Sequence, residues 1–138
     1  MHTLLSMGII PIVNANDSVS IEQLDFDEND TLSALTAEVC GADLLIILTD
    51  VDGLYDKNPL LPDAKLIPLV NRVTDEMIAA AGEKGSDLAS GGMLTKIEAA
   101  VLAGDAGIPT VIIKGDDPAV LYDLFDNRAV CTLFNLNR

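Results

Sequence analysis

Tryptophan is absent from this 138-residue chain, and aromatic residues make up only 4% of it, so its 49% apolar content has to be aliphatic. Such a chain buries a core of Leu, Ile, Val and Ala, and disorder is excluded. Basic residues are scarce: 8 Lys and Arg stand against 22 Asp and Glu, a net charge of -14. That field repels phosphate backbones and anionic lipid, so neither nucleic acid nor a membrane is an expected partner. A small anionic ligand would need the field inverted locally by a lysine, a metal ion or helix N-termini. Only two cysteines occur, Cys40 and Cys131, far apart and without CxxC spacing. Core packing is favoured over a disulfide or a metal site, and a reducing, cytoplasmic setting fits. No apolar run reaches the roughly 18 residues of a membrane span, and the start shows neither a basic segment nor a small-residue cleavage site. His2, the one histidine, reads as a surface residue.

The length suits one domain, residues 1–138. Residues 9–13, "IIPIV", are a β-branched run whose Pro11 suggests an edge strand. Leu32, Leu35 and Val39 fall at helical spacing, predicting a helix capped near Asn29 or Asp30 and stopped at Gly41. Residues 44–48, "LLIIL", read as a buried parallel strand, followed by an Asp52-Gly53 turn and a strand at 65–69. Thr74 caps a short helix through Ala81, a glycine-rich loop follows, and a second long helix runs from Met93 to near Gly107. "PTVIIKG" supplies a strand, Asp117-Pro118 starts a helix with a cap and a proline at its first position, and "AVCTLF" closes with a strand. This alternation predicts an α/β fold: an open, mainly parallel sheet with helices on both faces and ligands outside the carboxyl ends of the strands.

Three stretches could carry chemistry. In "LASGGMLTKIEAA", Thr95 and Lys96 are placed in the first turn of a helix, near the positive end of its dipole, where a cation is unwelcome unless an anion binds. The spacing is not that of a Walker A loop, and the bland alternative is a glycine turn with Lys96 reaching into water. Thr49 and Asp50 end a buried strand, the usual place for ligand contacts, yet they are also common turn formers. Asp17, Asp25, Asp27, Glu28 and Asp30 crowd around Asn14, Asn16 and Asn29. Such a cluster suits an ammonium group, a lysine or Mg2+, or is a helix cap beside a solvated acidic loop.

Together, "IIPIVNANDSVS", "DENDTLSALTA", "LLIILTDVDGLYDKNP", "SGGMLTKIEAA" and "GIPTVIIKG" resemble the amino acid kinase family in order and spacing, over essentially the whole chain. The paired NxND and NDxLSA segments with GGMxTK resemble its glutamate-phosphorylating branch. The resemblance implies transfer of the γ-phosphoryl of ATP, with Mg2+, to the side-chain carboxylate of L-glutamate, the first committed step toward proline. It implies that Asp17 and Asn29 contact glutamate and that Asp30 orients catalytic lysines. Thr49 and Asp50 would be ATP contacts, and Ser90, Gly91, Gly92, Met93, Leu94, Thr95 and Lys96 the ATP loop. Lys96 would stabilise the transferring phosphoryl.

Some positions depart from the family pattern: Ala15 for Glu, Asp27-Glu28 for Gly-Asp, and Ser90 for Thr. Family members begin with a strand and a KxG-type glycine loop that this sequence does not contain, and no PUA-like domain is expected within it. The expectation is therefore the C-terminal, nucleotide-binding part of such a kinase, working as a homo-oligomer or with a missing N-terminal half and nearly inactive alone. Acetylglutamate, aspartate and uridylate kinases are the alternatives within the family, and a non-catalytic nucleotide-binding module is the alternative outside it.

Overall fold

In the computed structural model, residues 1–14, 29–82 and 92–136 are described. Their helices are α1 (His2–Ser6), α2 (Asn29–Cys40), α3 (Asp75–Gly82), α4 (Gly92–Asp105) and α5 (Val120–Phe125). Their strands are β1 (Leu45–Thr49), β2 (Leu69–Val70), β3 (Thr110–Lys114) and β4 (Cys131–Phe134). The sheet runs β1-β3-β4-β2. β1 with β3 and β2 with β4 are parallel, and β3 with β4 is antiparallel, so the sheet is mainly parallel as its sequence predicts. None of the described helices is long and apolar enough to cross a membrane.

The aliphatic runs form strands because their alternate side chains have somewhere to go. Leu45, Ile47, Ile112, Val70 and Phe134 share one face and pack with Ile97, Ala99, Ala100 and Ala103 of α4 and Ala34 and Ala37 of α2. Burying side chains as large as Ile112 and Phe134 contributes about 2–3 kcal/mol each before entropy is counted. Alanines on both helices let them approach closely. At Gly104 an added Cβ would lie 2.9 Å from Leu136 Cβ. On the opposite face Val111 and Ile113 are buried at the centre, while Leu48 and Leu69 at the flanks remain 46% and 49% exposed.

Both long helices end on glycines that take positive φ, Gly41 at 63° and Gly107 at 78°. There the backbone folds back through Ala42 N–H to Ala37 O at 3.0 Å and Ile108 N–H to Ala103 O at 2.9 Å. α3 begins as predicted, with Met77 N–H donating to Thr74 Oγ1 at 3.3 Å. The other boundaries move. Residues 9–13 form no strand: Pro11 has no N–H to offer, Ile9 N–H turns back to Leu4 O at 3.0 Å, and no described strand pairs with them, leaving Ile10 and Ile12 exposed. Of the predicted 65–69 strand only Leu69 joins the sheet. Leu66 makes a single bridge to Tyr55, and Pro68 can offer only its carbonyl, to Leu133 N–H at 2.9 Å. After Asp117-Pro118 comes a turn, with Ala119 N–H on Asp117 Oδ1 at 2.9 Å, and the helix proper starts at Val120.

The segment after β1 is tied down by Thr132, a wholly buried residue of β4. Its hydroxyl donates to Ile67 O at 2.7 Å and accepts from Leu54 N–H at 2.8 Å. Gly53 lies against the same residue, and a Cβ there would be 2.9 Å from Thr132 N. Gly53→Ala is therefore expected to lower unfolding free energy by about 1–3 kcal/mol, read as a lower urea midpoint. Burial pushes the Cys131 thiol up from its usual range. Its alkylation by iodoacetamide at pH 8 is expected to be severalfold slower in the folded chain than in urea, because less thiolate is present.

Candidate functional site

Connection lengths decide which residues meet. α2 returns to β1 through residues 41–44, and α4 returns to β3 through 106–109. Helices of 12 and 14 residues rise about 18–21 Å, close to the length of the strands they lie against. The N-termini of both helices therefore come to the carboxyl ends of β1 and β3. Asn29, Asp30, Gly92, Thr95 and Lys96 lie at or near those helix starts, and Thr49, Asp50 and Lys114 at or just past those strand ends, so the topology puts both groups at one end of the sheet.

At the centre, Lys96 Nζ lies 3.0 Å from Asp30 Oδ2, and Thr95 Oγ1 lies 2.9 Å from the same oxygen. The Lys96 and Asp30 side chains are only 15% and 20% exposed, so this pair is partly desolvated. It differs in kind from the Lys57–Asp63 contact at 2.6 Å, whose carboxylate is 72% exposed. Lys96 is the fifth residue of α4 and so stands just past the first turn in which its sequence placed it. Its presence near a positive helix end has a structural answer: a carboxylate from the start of α2 faces it. Held there, the ammonium lies over the start of α4, where a Cβ on Gly92 would stand 3.8 Å from it, so an anion would find both the charge and the N–H groups of the first turn, which have no partner within the helix.

The strand ends are packed closely. Thr49 is in register with Lys114, and Gly115 N–H donates to Thr49 O at 2.8 Å. A Cβ on Gly115 would stand 2.8 Å from Leu48 Cβ, so glycine is what lets these chains run side by side. Thr49 Oγ1 donates to Asp50 Oδ1 at 3.1 Å, and Tyr55 Oη to Asp52 Oδ2 at 3.2 Å. Burial, with the hydrogen bond to Asp52, pushes the Tyr55 phenol up. Lys114 Nζ pairs with Asp116 Oδ2 at 3.0 Å. The bond to Asp116 and its charge hold this ammonium above the usual lysine range, with smaller pulls from Asp52 and Asp50.

Of the residues singled out in the sequence, Asn29, Asp30, Thr49, Asp50, Gly92, Met93, Leu94, Thr95 and Lys96 fall at this end of the sheet, whereas Asp17, Ser90 and Gly91 lie outside the described residues. Two residues were not foreseen. Lys114 could have been noticed as a lysine that closes an apolar strand just before a glycine; Tyr55 gave no local signal. Among the described residues no three His, Cys, Asp or Glu side chains stand together to hold a metal ion. Chemically, the arrangement can draw in an anion with a lysine and helix N–H groups while a carboxylate controls where that lysine points.

Comparison with known proteins gives this geometry relatives. The sequence profile of the amino acid kinase family matches residues 1–114. Glutamate 5-kinase of Geobacter sulfurreducens is 50% identical over 135 residues, covering 97% of this chain and 36% of that protein. Glutamate 5-kinase of Deinococcus radiodurans is 50% identical over 131 residues, covering 94% and 36%. The chain thus spans about a third of the length of these curated relatives. Among solved structures, an isopentenyl phosphate kinase in a substrate complex is 27% identical at a TM-score of 0.55, over 76% of this chain and 39% of that one. Carbamate kinase from Giardia lamblia bound to AMP-PNP shares the fold, at 23% identity and a TM-score of 0.57 over 80% and 32%.

Proposed function

The chain belongs to the amino acid kinase family, and from that premise we propose that residues 1–138 form the nucleotide side, with part of the glutamate side, of a glutamate 5-kinase. The observation that carries this reading is the partly buried Lys96–Asp30 pair beside the start of α4, in a chain 50% identical to glutamate 5-kinases across nearly its whole length. That likeness favours glutamate over the acceptors of acetylglutamate, aspartate or uridylate kinases.

In the proposed reaction a side-chain carboxylate oxygen of L-glutamate bonds to the γ-phosphorus of MgATP while the bond to the β,γ-bridging oxygen breaks, giving glutamyl 5-phosphate and MgADP. The carboxylate is already ionised, so no general base is needed. The difficulty is electrostatic: an anion must approach a polyanion within a chain of net charge -14. Lys96 and the N–H groups of the first turn of α4 lower that barrier by meeting charge on the transferring phosphoryl oxygens. Asp30 keeps the Lys96 ammonium at the site between turnovers. Thr49 and Asp50 take the remainder of the nucleotide at the strand ends, and Ser90, Gly91, Gly92, Met93 and Leu94 are assigned to its phosphates by the family resemblance. Asn29 and Asp17 hold the carboxylate and ammonium ends of glutamate. Mg2+ arrives with the nucleotide as part of the substrate.

Isothermal titration of the chain with MgATP tests this reading. Saturable binding that Lys96→Met weakens is the expected result, and heats indistinguishable from dilution across the millimolar range would overturn it. In the same preparation, glutamate-dependent release of ADP, with the acyl phosphate trapped by hydroxylamine, separates a transferring chain from one that only binds.

A further inference from the structure

We infer that Thr95 is a positioning residue whose hydroxyl sets how firmly Asp30 holds Lys96, and so how readily the lysine leaves for a phosphate. The inference deepens the kinase reading and rests on it for its purpose, while its geometry stands alone.

Thr95 Oγ1 has one proton and two acceptors within reach, Asp30 Oδ2 at 2.9 Å and Gly92 O at 3.0 Å. It can serve only one at a time. Lys96 Nζ donates to that same Asp30 oxygen at 3.0 Å. With the hydroxyl proton on Asp30, the negative charge of Oδ2 is shared between two donors and each bond is weaker. With the proton on Gly92 O, Lys96 faces the oxygen alone.

The consequence appears when Lys96 swings toward an anion at the start of α4. Asp30, only 20% exposed, would then lose its charged donor in a place where water compensates poorly. The Thr95 proton can take over, so Asp30 is never without a donor during the excursion. A residue beside Lys96 on the same helix is suited to this because it moves with α4 and not with the ligand. Valine has the shape of threonine without the hydroxyl, and serine has the hydroxyl without the methyl group, so the two substitutions separate chemistry from packing.

The test is the rate at which Lys96 in the full chain is acetylated by acetic anhydride, followed by mass spectrometry with Lys57 and Lys65 as internal references. Thr95→Val is expected to slow acetylation of Lys96 about five- to tenfold, and Thr95→Ser to restore it to within about twofold. In an Asp30→Asn background Thr95→Val is expected to change nothing, since the hold being tuned is gone. MgATP affinity is expected to fall in Thr95→Val and recover in Thr95→Ser. Acetylation of Lys96 in Thr95→Val at the original rate or faster, a slowing that serine does not reverse, or a slowing that survives Asp30→Asn would each overturn the inference. Absence of MgATP binding in the unsubstituted chain would instead reject the kinase reading, and the acetylation rates would still decide the role of Thr95.

Discussion

Lys96→Met is expected to weaken MgATP binding to this chain by about tenfold or more, and wherever transfer to glutamate is measurable to slow it by about 10²–10³. The size follows from position. Among the described residues Lys96 is one of two lysines placed at this end of the sheet, the other being Lys114, and the one beside the first turn of α4. Methionine keeps most of the side chain's length and packing, while Asp30 retains the Thr95 hydroxyl, so folding stability should fall by about 1–3 kcal/mol, the cost of leaving a partly buried carboxylate without its charged donor. Removal of a positive charge from so acidic a chain weakens anion attraction in general, and Lys57→Met measures that background, because Lys57 sits in an exposed pair with Asp63. Equal losses in the two variants would remove Lys96 from the phosphate site.

The second large effect is on stability. Thr132→Val is expected to lower unfolding free energy by about 2–4 kcal/mol, with Thr132→Ser recovering most of it. One buried hydroxyl satisfies two backbone groups, Leu54 N–H and Ile67 O, that lie far from it in sequence. Valine fits the same space and leaves both groups with an apolar neighbour. Leu54 is 2% exposed, so water offers its N–H little relief. A drop in the urea midpoint at an unchanged slope would be the direct reading. A variant as stable as the original would mean that the segment after β1 is held by packing and by its other backbone bonds, such as Ile67 N–H to Leu54 O at 2.8 Å.

Much of the fold was legible because its signals are local. β1 and β3 are uninterrupted aliphatic runs, and α2 and α4 stop at glycines whose positive φ no other residue adopts so cheaply. Residues 9–13 carry an equally good strand composition and do not form one, since a strand also needs a neighbour to complete its ladder and composition cannot supply that. The tie from Thr132 to Leu54 spans 78 positions and follows from the order of strands, which no local pattern records.

The site divides in the same way. The glycine pair before a helix marked the region of Lys96, and the end of an apolar run marked Thr49 and Asp50. The meeting of Asp30 with Lys96, 66 positions apart, came only through likeness to a family. Spacing alone left the acidic cluster near Asn29 readable as a solvated loop. Lys114 went unnoticed because its place beside Thr49 is a matter of strand register.

The return of α4 onto β3 has an evolutionary corollary. Ile97, Ala100 and Ala103 key the helix into the core, which fixes its rotational phase. One residue inserted between Lys96 and Ile97 would leave Ile97, Ala100 and Ala103 seated and turn the lysine, with Met93 before it, by about 100° away from its present partners. The amino-acid inventory would be intact and the site dismantled. Insertions beside the exposed Leu60 and Leu61 carry no such penalty, so length variation among homologues should collect there and avoid the interval from Asp30 to Thr49 and from Lys96 to Lys114.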